Sequence, residues 1–275
     1  MTVKDLVKVL ISIDYEGATG VVHWQEPVDI QKRAMTEDAI ALARGLSEHS
    51  VIITDAHAAG RNLFPEQLPQ NCELIRGGPR PLGMMEGVDL ADCVILAGYH
   101  AGIGSPKGLM DHTFSSSTVY RMTLNSRKMN EALINAYLAG YFKRPVIMAT
   151  GDDVLVESLK DELDPGVEYV ITKYGISRFA ARLRPAQEVR TELTERARAA
   201  AAKATKIRPL IPEPPYNLRI AFHDTVVADL VELLPEGKRI SGREIEFEDQ
   251  DFLKIYRLLR LSLGLGITAR YYREK

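Results

Sequence analysis

The chain has 275 residues, 45% of them apolar and 26% charged, and its acidic and basic side chains nearly cancel to a formal charge of −2. These values sit near the average of globular proteins and exclude a disordered, collagen-like or disulfide-scaffolded chain, while the balanced charge offers no global field for nucleic acid or an anionic membrane. A chain of this length buries roughly three quarters of its unfolded surface, so a large core is available and the expected partner is a small molecule.

The opening stretch MTVKDLVKVLISID lacks the uninterrupted apolar core and small-residue cleavage site of a signal peptide. No run of about 18 uncharged apolar residues indicates a transmembrane helix, and a cytoplasmic location is expected. Residues 7–13 form the first short run rich in β-branched side chains. Residues 29–48 follow with Ile30, Ala34, Ala39, Leu42 and Leu46 near helical spacing, as a crossover helix requires. Residues 50–54 and 93–97 are the next strand-like runs; the second holds Cys93, which together with Cys72 reads as a buried thiol in a reducing compartment. A strand at 120–124 ends at the Asn125-Ser126 turn, residues 130–142 read as a helix, and 145–150 as a further strand. Residues 187–206 are alanine-rich, with Val189, Leu193, Ala197, Ala200 and Ala204 along one stripe.

Four prolines between Pro209 and Pro215 then break any helix and mark a connector. Beyond it, strands are expected at 218–222 and 244–247 and a helix at 249–263. The alternation predicts an α/β fold, a three-layer α/β/α arrangement with a largely parallel or mixed sheet, plus a small α+β C-terminal appendage. The expected division is a main α/β domain over 1–207 and the smaller α+β part over 208–275.

Three strand-like runs end in metal-ligand side chains: Ile13-Asp14-Tyr15-Glu16-Gly17, Thr54-Asp55-Ala56-His57 and Gly98-Tyr99-His100-Ala101. The carboxyl ends of parallel strands converge on one crevice. Asp14 and Glu16, spaced i and i+2, would share one face and repel each other unless a cation lay between them. Taken singly, each piece is as well read as a turn, a helix cap or a hydrogen-bonded histidine; their coincidence, with His112 on the following loop and Glu131 at a helix start, carries the metal reading. His23, His49 and His223 are read as surface or hydrogen-bonded residues, and Trp24 as packing.

Imidazole and carboxylate without thiolate suit zinc, and less selectively manganese or cobalt. Three carboxylates, Asp14, Glu16 and Glu131, suit two divalent ions sharing a hydroxide, and hydrolysis is the implied reaction. Asp55 is a candidate acceptor to fix a histidine tautomer. Asp152, in Gly151-Asp152-Asp153, either faces the same crevice or caps the next helix. No dinucleotide or ATP phosphate-binding glycine motif and no Gly-X-Ser-X-Gly elbow is present, and Ser115-Ser116-Ser117 lacks the setting of a serine nucleophile.

These landmarks, joined by Met35-Thr36-Glu37, Met85-Glu86-Gly87, Met110-Asp111-His112, Asn130-Glu131-Ala132-Leu133-Ile134-Asn135-Ala136-Tyr137 and Ile176-Ser177-Arg178, resemble the DppA-like family of zinc-dependent D-aminopeptidases, named from a dipeptide-transport operon. The resemblance runs from about Val9 to Arg184. It implies a dinuclear zinc site of Asp14, Glu16, His57, His100 and Glu131, with Asp14 as the bridge, and it matches His112 to the family's catalytic residue. It further implies short peptides with N-terminal D-residues as substrates and a ring-shaped homo-oligomer, a decamer, enclosing the active sites.

A metal-held hydroxide is the expected nucleophile, with His112 hydrogen-bonding the developing oxyanion or giving a proton to the leaving amine. Asp111 departs from the small polar residue of the family, and a carboxylate there would raise the His112 pKa if it came close. Two alternatives stand beside the aminopeptidase: a non-catalytic metal- or peptide-binding protein of transport or sensing, and a dinuclear phosphoesterase using Arg61, Lys107 or Arg178.

Overall fold

The computed structural model describes residues 6–273. In chain order the first half contains β1 (Lys8–Ile13), α1 (Val28–Gly45), β2 (Ser50–Asp55), β3 (Cys72–Ile75), β4 (Cys93–Tyr99), β5 (Val119–Leu124), β6 (Arg127–Lys128) and α2 (Glu131–Tyr141). The second half contains β7 (Val146–Asp152), α3 (Asp153–Lys160), β8 (Glu168–Ser177), β9 (Ala180–Leu183), α4 (Ala186–Ala202), β10 (Tyr216–Phe222), α5 (Thr225–Val231), β11 (Lys238–Ser241), β12 (Glu244–Asp249), α6 (Phe252–Thr268) and α7 (Arg270–Arg273). Every apolar run expected as a strand is one.

Seven strands form one sheet in the order β3-β2-β1-β4-β7-β8-β9, parallel throughout except for the hairpin return of β9. β4 and β7 are buried along their whole length and β1 nearly so, as continuous apolar runs require when helices cover both faces of a sheet. Handedness explains the layers. The crossover from β1 through α1 goes to β2 on one side, and that from β4 through α2 goes to β7 on the other, so right-handed connections place α1 and α2 on opposite faces. α4 packs on α1, filling the first layer.

The second sheet is antiparallel, in the order β11-β12-β10-β5-β6. Two of its strands, β5 and β6, lie before the proline-rich connector and three lie after it, so both parts of the chain build it together. α6 joins the layers by packing on β10, β12 and α2.

Some bounds differ from the sequence expectation for local reasons. The alanine-rich helix stops at Ala202, and residues 204–206 form a separate tight turn. α6 continues past Leu263 to Thr268, since nothing in Gly264-Leu265-Gly266 blocks a helix whose Gly266 packs against Thr118. β8 and β9 lie near the sheet edge with mixed burial, which leaves no apolar run to read. Among the described residues no helix is long and apolar enough to cross a membrane.

The neighbours β1 and β4 send their connections in opposite directions, which opens a crevice at their carboxyl ends. Two glycines let the backbone close over it. Gly17 N donates to Gly98 O at 2.7 Å, and a Cβ on Gly17 would collide with the Tyr99 carbonyl. Gly98 has φ +65°, and a Cβ there would meet the Asp14 carbonyl oxygen.

Candidate metal centre

Asp14 and Glu16 leave the end of β1, His57 follows β2, and His100 follows β4, so three neighbouring parallel strands deliver four side chains to one crevice. Glu131 begins α2, whose Asn130 cap accepts from Leu133 N at 2.8 Å; a carboxylate in that first turn also meets the positive end of the helix dipole. His112 arrives on the loop between β4 and β5.

Asp14, Glu16, His100, His112 and Glu131 are all buried, and the His57 side chain keeps 20% of its surface exposed. His57 Nδ1 lies 3.2 Å from Asp14 Oδ1 and 3.2 Å from Glu16 Oε2. His100 Nε2 lies 3.7 Å from Asp14 Oδ2 and 3.3 Å from Glu131 Oε1. The two Asp14 oxygens therefore face different histidines. His112 Nε2 stands 3.5 Å from Glu131 Oε1 and 3.9 Å from Glu16 Oε1, and its ring stacks on His100 with centroids 4.2 Å apart. Two groups of ligand atoms result, Asp14 with Glu16 and His57, and His100 with His112 and Glu131. All six sequence-predicted residues come together, with His112 among the potential ligands rather than apart from them.

Two polar atoms in the cluster, Glu16 Oε2 and His100 Nε2, are buried with no hydrogen-bond partner. Such atoms are costly unless something else satisfies them. Burial, then the neighbouring Glu16 and Glu131 charges, push Asp14 up to about 7. Burial alone would raise Glu16, but His57, His112 and His100 outweigh it and hold that carboxyl well below the usual range. Burial likewise works against the charged form of His57 and His100, yet the carboxylates raise both, His57 well above its ordinary value through Glu16 and Asp14, and His100 to about 10, chiefly through Glu131. In the metal-free chain protons thus occupy the positions where cations would balance the same carboxylates. Buried oxygens and imidazole nitrogens facing inward, without thiolate, fit zinc.

The histidines are oriented by backbone carbonyls. His100 Nδ1 donates to Ala101 O at 2.9 Å and His112 Nδ1 to Met110 O at 2.8 Å, so both Nε2 atoms turn toward the carboxylates. Burial, reinforced by the neighbouring His100 charge, lowers the His112 pKa. Asp111 does not counter this. It faces away, with Oδ2 accepting from Gly104 N at 2.6 Å and Oδ1 3.5 Å from the Arg178 guanidinium.

Asp55 accepts from Asn62 N, Asn62 Nδ2 and Leu63 N, and Asn62 in turn donates to the His57 carbonyl; it shapes the loop that carries His57 without touching the imidazole. Asp152 caps α3 through Leu155 N and accepts from Leu109 N, fastening the loop that leads to His112. Lys173, fully buried, donates to the carbonyls of Glu16, Ala18 and Val21 and so fixes the turn that presents Glu16.

Trp24, read from the sequence as packing, and Lys173, not singled out there, both act on the Glu16 turn. The Trp24 indole N–H donates to Glu16 Oε1 at 2.7 Å and its ring meets His112 edge-on at 5.5 Å. No spacing rule singles out a loop tryptophan, and the sole available signal was its place eight residues beyond Glu16. His23 packs against Phe179, His223 meets Tyr120, and His49 accepts from Val7 N, all outside the ligand groups. Ser115 and Ser117 pair with each other at the surface.

A family model described as "D-aminopeptidase", Peptidase M55, matches residues 7–261. A D-aminopeptidase of Bacillus subtilis (strain 168) is 32% identical over 278 residues, which cover 96% of this chain and all of the relative. The solved structure of the Zn-dependent D-aminopeptidase DppA from Bacillus subtilis, described as a self-compartmentalizing protease, superposes with a TM-score of 0.89 at 28% identity, over 94% of this chain and 98% of that one.

Proposed function

The chain belongs to the D-aminopeptidase family M55, and from that premise we propose that it removes the N-terminal residue of short peptides containing D-amino acids, using two zinc ions. Asp14, Glu16 and His57 would hold one ion, and Asp14, His100 and Glu131 the other. The observation that carries this reading is the division of Asp14, one oxygen toward His57 and one toward His100, with the partnerless Glu16 Oε2 and His100 Nε2 beside it. Zinc bound there supplies Lewis acidity, polarising the scissile carbonyl and bringing the ionisation of water near neutral pH.

The remaining work falls to the chain itself. His112 is tied at Nδ1 to the Met110 carbonyl, so its neutral form offers a bare lone pair at Nε2. A nitrogen in that state has no proton to give. It first collects one as water adds to the carbonyl, then delivers it to the leaving amine nitrogen, and the proton count closes with Nε2 bare again. Burial, the cause of its lowered pKa, keeps it in that neutral starting state. Trp24, through its indole N–H, holds Glu16 in orientation. By analogy with the self-compartmentalizing Bacillus protein, the chain acts as a homo-oligomer that admits peptides.

The test is release of D-alanine from D-alanyl-D-alanine beside L-alanine from L-alanyl-L-alanine, with zinc-loaded and chelated protein in parallel. Preference for the D-isomer, lost on chelation and restored by zinc, is the expected result. No cleavage of either by protein carrying two zinc ions would overturn the proposal.

A further inference from the structure

Arg178 sits at the tip of the hairpin between β8 and β9, its guanidinium flanked by two aromatic rings. Its carbon lies 5.8 Å from the Trp24 ring centroid and 5.6 Å from that of Phe179. Its backbone carbonyl accepts from Met110 N at 2.7 Å, which ties the hairpin to the loop of His112. Asp111 is its ion-pair partner, but at 3.5 Å that contact is too long for a strong bond, and Asp111 is already engaged by Gly104 N. Among the described residues the guanidinium donates no hydrogen bond, and 42% of the side chain is exposed.

The same side chain lines a groove of about 520 Å³ together with Gly104, Asp111, Arg121, Lys128 and His223. Arg121 is paired with Glu244, whereas Lys128 has no ion-pair partner among the described residues. Of the cations lining this groove, Arg178 is the one placed beside the metal centre: its carbon lies 5.8 Å from the Trp24 indole, whose ring meets His112 edge-on at 5.5 Å.

We propose that Arg178 is a specificity-determining residue that receives the free C-terminal carboxylate of the peptide, so that the substrates are short peptide acids rather than amides or long chains. This rests on the aminopeptidase reading above. In a dipeptide the terminal carboxylate carbon lies within about 4 Å of the scissile carbonyl carbon, and a paired guanidinium carbon lies about 4 Å beyond that. The two contacts on one indole keep the guanidinium carbon within about 11 Å of the His112 ring, which accommodates the span of about 8 Å that such a pair requires. The planar, permanently charged fork suits a carboxylate in two-point contact, and Asp111 with the two aromatic rings holds it ready without consuming its donors.

The experiment compares kcat and KM of the zinc-loaded enzyme for D-alanyl-D-alanine and D-alanyl-D-alanine N-methylamide, followed as disappearance of the dipeptide. The wild-type chain favours the acid by about 10- to 100-fold, carried by KM, the range expected for a hydrogen-bonded charge pair. Arg178→Met brings that ratio close to one, Arg178→Lys restores part of it, and Arg182→Met, which removes an exposed arginine stacked on Tyr174, keeps the wild-type ratio. Equal efficiency on the two substrates, or an undiminished preference in Arg178→Met, would overturn the assignment. If neither is turned over, the aminopeptidase reading falls by itself, and the ratio of calorimetric Kd values for the same two ligands decides the carboxylate site by the same outcomes.

Discussion

Replacing Trp24 with Phe tests how much of the metal centre depends on a residue that is no ligand. The change keeps an aromatic wall against His112 but removes the indole N–H that reaches Glu16 Oε1 at 2.7 Å. Glu16 is buried, so water cannot replace that donor without entering the cluster. A hydrogen bond to a buried charged acceptor contributes about 1.5–3 kcal/mol, and about 1.4 kcal/mol is tenfold in a binding constant. The expected loss in zinc affinity is therefore about 10- to 100-fold, in the range typical of outer partners of metal ligands. It should fall on the ion held by Asp14, Glu16 and His57, leaving the other nearly intact. Competition with a chromophoric chelator reads the two affinities, and the melting temperature of the metal-free variant checks that the fold is retained. A variant that binds both ions within about threefold of wild type, with unchanged turnover, would refute the reasoning.

Asp14→Asn should lower zinc from two ions per chain to one or none by elemental analysis, since the amide nitrogen cannot serve one of the two histidine-facing positions. His112→Ala should lower kcat by about 10²- to 10⁴-fold while zinc content stays at two; loss of an ion would make His112 a ligand instead. Zinc binding at pH 7 should release about two protons, because His57 is held well above its ordinary pKa and His100 near 10 in the metal-free chain. Calorimetry in buffers of different ionisation enthalpy counts them. The sign follows: protonated imidazoles oppose the metal, so affinity falls as pH falls.

The candidate metal ligands were legible in the sequence as a cluster because each stands just after an apolar run or at a capped helix start. Ile13 pairs with Asp55 on one side and with Ala97 on the other, so three parallel strands end at nearly one level, and that geometry sends Asp14, His57 and His100 to one place. Glu131 was legible for a related reason, the Asn130 cap fixing where α2 begins. What the sequence could not give was direction. Asp111 stands beside His112 in the chain, yet successive side chains on an extended loop diverge, and it turns to Gly104 and Arg178 instead. Asp55, read as a partner of the imidazole, acts on the loop through Asn62.

Trp24, Lys173 and Arg178 escaped the strand-end logic because each reaches the centre across a distance set by tertiary packing. Lys173 lies on β8, in a strand with no apolar run to announce it, and satisfies three carbonyls of the Glu16 turn. Three acceptors on three ammonium protons make that turn a rigid platform, from which Glu16 is presented to His57 and Trp24. Arg178 directly follows the same strand, so one element, β8, braces the carboxylate turn from its middle and carries the guanidinium just beyond its end. A strand three positions removed from β1 in the sheet thereby braces the Glu16 turn and carries a residue that lines the groove. A lengthened β8–β9 hairpin would shift substrate length preference while leaving the ligand set on β1, β2 and β4 unmoved.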